Sequence, residues 1–338
     1  MRWICLVIGM LAANPVTGGE LAPESPGSQA GHITLIEEND EFQPGPTDKH
    51  YTQGLKVAYT SAPVAADSRA ASLFQLTDLL WQRGGDSERR YEFSFGQSMF
   101  TPQNMRISMP NPLDRPYAGW LYGGVTLLQE TDRRSLQSLE LLAGVVGPAA
   151  LAGPIQSSLH VWLGQRAPAG WQYELHDEAG AVLSYEHRWR LQMPLGDGIG
   201  VELIPEVGGS VGNVFTYAEA GALIRFGRKL NADYGPARIR PSLSGTTWFN
   251  PQGEIGWNLF AGVQTRYVAR NIFLDGNTFH DGPSVEKRTV VTDLSAGASL
   301  FCSETLKLEF VFTERGEEFT TQNGRDRFGG INLSVRLP

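Results

Sequence analysis

From residue 32 onward, apolar and polar side chains alternate in short runs separated by Gly, Pro, Asn and Asp. Tyr91, Phe93 and Phe95 fall on one face of an extended segment, with Glu92, Ser94 and Gly96 on the other. Leu306, Leu308, Phe310 and Phe312 likewise share a face, opposite Lys307, Glu309 and Val311. A period of two marks a strand, because successive Cβ atoms point to opposite faces. The pattern predicts strands at His32–Glu38, Gly54–Ser61, Tyr91–Phe100, Gly119–Gln129, Leu136–Val146, Ala181–Gln192, Gly200–Ser210, Tyr217–Phe226, Leu259–Asn271, Thr289–Phe301, Thr305–Thr313 and Gly330–Leu337, about twelve in all. Turn punctuation separates them at Pro44-Gly45-Pro46, Gly84-Gly85-Asp86, Pro110-Asn111-Pro112, Gly196-Asp197-Gly198, Pro251-Gln252-Gly253 and Asp275-Gly276-Asn277.

One stretch breaks the alternation. Gln156-Ser157-Ser158-Leu159-His160, followed by Gly164 and Gly170-Trp171, reads as a short helix. Gln156 and His160 are four apart and share a face of it. A polar pair on a lone helix in an all-β chain is a candidate for chemistry, although a helix histidine is more often held by a backbone partner.

Composition narrows the class. Charged residues are 19% of the 338, Gly numbers 39, and the formal net charge is −8. A negative chain lacks the basic face that nucleic acid requires, so no nucleic-acid partner is expected. Arg2 followed by an apolar run from Trp3 to Ala13 and small residues to Gly19 has the form of a secretory signal peptide, residues 1–19. Glu20 to Gly31 is a Pro-, Gly- and Ser-rich leader. Removing the signal with Cys5 leaves Cys302 alone, so no internal disulfide is expected. No later run is apolar enough for a membrane helix. Export with many strands, apolar on one face and small or polar on the other, favours a transmembrane antiparallel β-barrel over a soluble sandwich. The chain reads as one domain, residues 20–338.

Three clusters could carry chemistry. Glu37-Glu38-Asn39-Asp40 with Asp48, Tyr51-Thr52 and Gly54 gathers oxygen ligands that could hold a hard cation such as Ca²⁺, or simply forms a solvated acidic turn. Gln156 and His160 could supply a general base. Gly208-Gly209-Ser210-Val211-Gly212 matches a nucleophile-elbow spacing, but a strand follows it where the elbow needs a helix.

Taken in order, several blocks resemble the outer-membrane lipid A 3'-O-deacylase family. They are Glu38-Asn39-Asp40, Thr47-Asp48-Lys49-His50-Tyr51-Thr52 with Gly54, Gln97 with Phe100-Thr101-Pro102, and Asp114-Arg115-Pro116-Tyr117-Ala118-Gly119-Trp120-Leu121-Tyr122. Val146-Gly147-Pro148 running to Gln156, His160, Gly164 and Gly170-Trp171 follows, then Pro205-Glu206-Val207 through Gly212-Asn213. The resemblance implies a twelve-stranded barrel in the bacterial outer membrane, with its site between the wall and a rim helix. It implies Ca²⁺-dependent removal of the 3'-linked acyl chains of lipid A, the lipopolysaccharide anchor, by a monomer among outer-membrane lipids. Carried over, His160 is the general base and Gln156 its helical neighbour. Asn39, Asp40 and Thr52 form the facing wall, and Asp40 is the metal ligand or orients His160. Arg106 and Arg115 meet substrate sugar or phosphate. Two positions depart from the family pattern: Arg166 stands where an acid is expected six residues after the histidine, and Met105 where a basic residue is expected before Arg106. A phospholipase-type esterase acting on glycerophospholipids and a non-catalytic barrel are the alternative readings.

Overall fold

The structure, a computed structural model, describes residues 30–43, 49–75, 77–79, 81, 86–241, 247–250, 255–303 and 305–338. The expected signal peptide, most of the leader and Asp48 lie outside the described residues. So do the Pro44-Gly45-Pro46 and Pro251-Gln252-Gly253 turns, and Gly84-Gly85.

Thirteen strands form one antiparallel sheet: β1 (His32–Asn39), β2 (His50–Thr60), β3 (Ser87–Thr101), β4 (Ala118–Thr131), β5 (Ser135–Val146), β6 (Glu178–Trp189), β7 (Leu191–Gly196), β8 (Ile199–Gly212), β9 (Phe215–Arg228), β10 (Gly256–Asn271), β11 (Val290–Phe301), β12 (Leu306–Arg315) and β13 (Asp326–Arg336). β1 pairs with both β2 and β13, and β6 pairs with β8, so the sheet closes into a twelve-stranded barrel with β7 extra. Closure gives backbone N–H and C=O groups partners across neighbouring strands, which a wall in lipid requires. β7 continues the line of β6: Arg188 lies opposite Glu206 and Leu191 opposite Leu203, three residues on against three back. The expected single strand Ala181–Gln192 is therefore interrupted at Arg190, whose N–H turns to the Arg134 carbonyl at 2.7 Å.

The alternation sorts faces as a membrane barrel needs. Phe93, Phe95, Phe310, Phe312, Leu259 and Ile224 are exposed on the outside. Lys307, Glu309, Val311 and Thr313 face inward and are buried. Val311, which blurred the pattern, joins Ile204, Leu223 and Phe260 in a small internal apolar cluster.

The lumen is filled. Lys56 bridges Glu92 at 3.1 Å and Glu140 at 3.2 Å, Arg188 meets Glu206 at 2.9 Å, and Arg266 and Arg315 share Asp293 at 3.0 and 3.1 Å. The connection after β9 runs through the interior and adds its own charges. Asp233 takes Arg225 and Lys307, Arg238 meets Glu38 at 2.5 Å, and Arg240 reaches Glu140 and Glu186. Buried charges persist only when paired in this way. A cavity of about 30 Å³ remains beside Lys56, Glu140 and Arg240, space for water-sized occupants. At the end opposite the termini an aromatic layer closes the mouth. Trp120 and Phe215 pack there with Phe273 of the short helix α2 (Ile272–Asp275), and Phe273 stacks on Phe100 at 4.1 Å.

Ser210 sits within β8, hydrogen-bonded to Ser184 Oγ at 2.7 Å, and β9 follows. No elbow forms, as its context predicts.

Candidate active site

The lipid-facing rows of three neighbouring strands turn polar near the rim. In β1, Ile33 and Leu35 are exposed, and Glu37 and Asn39 continue the same row. In β2, Val57 and Leu55 lead to Gln53, and in β3, Phe93 and Phe95 lead to Gln97 and, past the apolar Met99, to Thr101. Gln53 donates to Glu37 at 2.9 Å, and Thr52 and Thr101 share a hydroxyl hydrogen bond at 2.7 Å. Thr52 lies at a bulge that interrupts the β2–β3 register between Tyr51 and Gln53. Bulges re-aim side chains, and this one brings Thr52 to Thr101.

A helix lies against this patch. α1 (Ala152–Trp162) starts on the outer face of β4: Trp120 points into the aromatic layer, so its neighbour Gly119 points outward. A Cβ on Gly119 would stand 2.5 Å from the Ala152 Cβ, so helix and wall touch through a position that only glycine leaves open. Gln97 Nε2 donates to the Ala150 carbonyl at 2.5 Å, securing the helix entry. The helix begins four residues earlier than the Gln156 start read from the sequence.

Gln156 and His160 occupy the buried face of α1, 2% and 8% exposed. The Gln156 oxygen accepts the Trp171 indole N–H at 2.8 Å, and its amide nitrogen meets the Met105 sulfur at 3.4 Å. Met105, Met99, Tyr117, Ala152 and Trp171 pack as one cluster, so the long β3–β4 and β5–β6 loops grip the helix together. Ala169 N–H donates to the Met105 carbonyl at 2.9 Å and strengthens that grip.

The end of α1 sets the histidine. Gln165 N–H returns to the His160 carbonyl at 2.8 Å and Gly164 N–H to Val161 at 3.1 Å, with Gly164 at φ +75°. This pair of bonds is the Schellman arrangement, which wants glycine at the left-handed position. The reversed chain carries the Arg166 carbonyl back to His160 Nδ1, 3.1 Å away. A carbonyl can only accept, so Nδ1 carries the proton and Nε2 holds the lone pair of the neutral ring.

The expected site residues separate as follows. Asn39 ends β1, and its oxygen caps the following turn through Glu41 N–H at 2.7 Å. Asp40 is buried and accepts Lys49 N–H at 2.5 Å; the group the structure sets against His160 Nδ1 is the Arg166 carbonyl. Gln165, just past α1, reaches Glu41 in the turn after β1 at 3.5 Å. Glu38, grouped with its neighbours in the sequence, faces the lumen and belongs to the internal network. Arg106 is exposed on the β3–β4 loop. Arg115, the other expected substrate contact, is fully buried, 3.1 Å from Glu318 and over the Phe100 ring. In that position it ties the β3–β4 and β12–β13 connections together.

Glu37, Gln97 and Trp171 were named in the sequence without a role in the site, and Gln53 joins them without having been named. The signal for Glu37, Gln53 and Gln97 lay in the alternation itself, where each outward apolar row becomes polar.

Asp40 is a buried carboxylate at this rim, in the turn after β1, and Thr52 lies one residue past the Asn39–Gln53 pair that ends the β1–β2 register. Among the described residues no three His, Cys, Asp or Glu side chains converge on a metal-sized site. The donors present are hard oxygens, which suit a Ca²⁺ ion completed by other oxygens.

A closed barrel, apolar outside and charged inside, with a histidine-bearing helix on its outer wall, defines an outer-membrane β-barrel protein. The family model described as outer membrane protein LpxR matches residues 3–337, and the chain belongs to that family. It is therefore a multi-pass protein of the outer membrane. The solved structure of LpxR from Salmonella typhimurium is similar, with a TM-score of 0.74 at 19% identity, covering 90% of this chain and 100% of that one. The β domain of the Bordetella autotransporter BrkA gives a TM-score of 0.44 at 12% identity, covering 91% of this chain and 98% of that one. No curated protein matches.

Proposed function

We propose that the protein hydrolyses the 3'-linked acyl ester of lipid A. The observation that carries this reading is the place of the site: a buried histidine between a helix and a polar patch on the lipid-facing wall. A lipid ester can enter such a site sideways from the leaflet. The helix end of the barrel also carries most of the longer connections, which face outward in barrels of this kind. The site would then lie beside the outer leaflet, where lipid A resides.

The Arg166 carbonyl holds Nδ1–H, so His160 Nε2 accepts the proton of a water that attacks the ester carbonyl. The ring then returns that proton to the departing sugar or acyl-chain oxygen. Such a base contributes about 10²–10⁴-fold. The carbonyl-rich C-terminus of α1 lies beside the charge that develops on the ring. Gln156, fixed by Trp171, is the polar neighbour of His160 on the same helix face. Arg106, exposed beside it, is placed to meet a substrate phosphate. Ca²⁺ held at Asp40 would supply positive charge for the developing oxyanion.

The test is mass analysis of lipid A incubated with the purified protein in micelles, with Ca²⁺ and with chelator. Loss of the 3' acyl chains by wild type, and at least about 10²-fold slower loss by His160→Ala, is expected. Intact lipid A under every condition would overturn the activity. Lysophospholipid from micelles lacking lipid A would support the phospholipase reading in its place.

A further inference from the structure

The wall has a notch at the end that carries the chain termini. β5 begins at Ser135, while β6 continues as β7 to Gly196. β7 pairs with β8 along one edge, and all six of its residues are exposed. Between the β4–β5 turn and β7 lies an open cavity of about 670 Å³, lined by Arg133, Arg134, Arg190, Leu191 and Met193 among others.

The charges of this notch are unbalanced. Arg190 is spent internally on Glu202 at 2.8 Å and on backbone carbonyls. Asp132, which also lines the cavity, accepts the Asp86 N–H at 3.0 Å and offsets one positive charge, so the notch keeps a net positive balance. Arg133 and Arg134 are exposed and form no ion pair among the described residues. Above the notch the outer wall is mostly apolar and aromatic, through Leu141, Leu183, Tyr185 and Trp189, with His187 stacked on Trp189 at 4.1 Å, and Leu191 and Met193 extend that face downward.

We infer that this notch binds an anionic glycerophospholipid of the leaflet at the terminal end. Its phosphate sits on Arg133 and Arg134, and its acyl chains run up the Leu183 and Trp189 wall. Charge complementarity selects the head group, since guanidinium pairs phosphate bidentately. The apolar wall directly above selects a lipid over a free anion. The site lies at the opposite end of the barrel from His160 and does not depend on the proposed hydrolysis.

The test uses the full barrel in neutral detergent, titrated with phosphatidylglycerol and, separately, phosphatidylcholine of the same chains, with bound lipid read by native mass spectrometry. Phosphatidylglycerol should bind at least tenfold more tightly. The paired substitution R133Q and R134Q should weaken it about 10–30-fold, given about one surface increment per arginine, with heat-modifiable migration showing the barrel still folded. Equal binding of the two lipids by wild type, or an undiminished preference in the double variant, would overturn the inference. If the variant does not fold, salt titration of wild type decides. A preference that collapses at about 0.5 M salt supports the charged site, because screening weakens exposed charges, and one that persists overturns it.

Discussion

At the scale of single residues, the site rests on two hydrogen bonds that a motif search does not see. One is the Trp171 indole N–H to Gln156. Trp171→Phe keeps the ring and removes the donor, leaving a buried amide oxygen without it at a cost of about 1–3 kcal/mol. Activity on lipid A should fall about tenfold or more while thermal unfolding of the barrel barely moves. A second residue-level expectation concerns Glu174, three residues on in the same loop. Burial, helped by the nearby Asp177 carboxylate, pushes its carboxyl up to about 7. A raised carboxyl contributes stability that is fully present below its unfolded value and lost as pH rises through 7. The β5–β6 loop should therefore resist proteolysis at pH 5.5 more than at pH 8, and Glu174→Gln should flatten that dependence. His160 and Gln156 were legible as a pair from their spacing. Their true neighbours were not, because an indole fifteen positions on and a backbone carbonyl leave no residue-type signature.

At the scale of elements, strand positions were legible because each outward row is apolar and each inward row polar, small or aromatic. The exception, Ala181–Gln192, fails at Arg190, where interior hydrogen bonds compete with the ladder. α1 depends on two glycines for different reasons. Gly164 holds a left-handed φ, which costs a Cβ-bearing residue about 1–2 kcal/mol; Gly164→Ala should loosen the return of Arg166 to His160 and shift the pH profile of hydrolysis. Gly119 is a matter of space. Gly119→Ala should push the helix off β4, an overpacking cost of about 1–3 kcal/mol, lowering activity while the barrel still migrates as folded. The sequence marked Gly119 as part of a block but not as a contact, since contact is a property of the fold.

At the scale of the molecule, the interior is a packed solid of paired charges crossed by the β9–β10 connection. Nothing in its sequence distinguished this segment from a surface loop, because its charges are satisfied only by residues far along the chain. Arg240→Ala would leave Glu140 with Lys56 alone and Glu186 with Arg188 alone, and should cost up to about 3 kcal/mol, seen as a lower midpoint of thermal unfolding in detergent. In planar bilayers the wild-type barrel should show no steady porin-like current, and a large open-channel current would contradict the filled lumen.

The outward placement of the site changes how its substrate is counted. A protein that meets its ester sideways within a leaflet samples an area, and what matters is the mole fraction of substrate in that film. Adding inert detergent at constant substrate and protein should slow the reaction, whereas diluting the whole mixture with micelle composition held constant should leave turnover per protein nearly unchanged. Saturation curves plotted against bulk concentration would then mislead, and those plotted against surface fraction would superimpose.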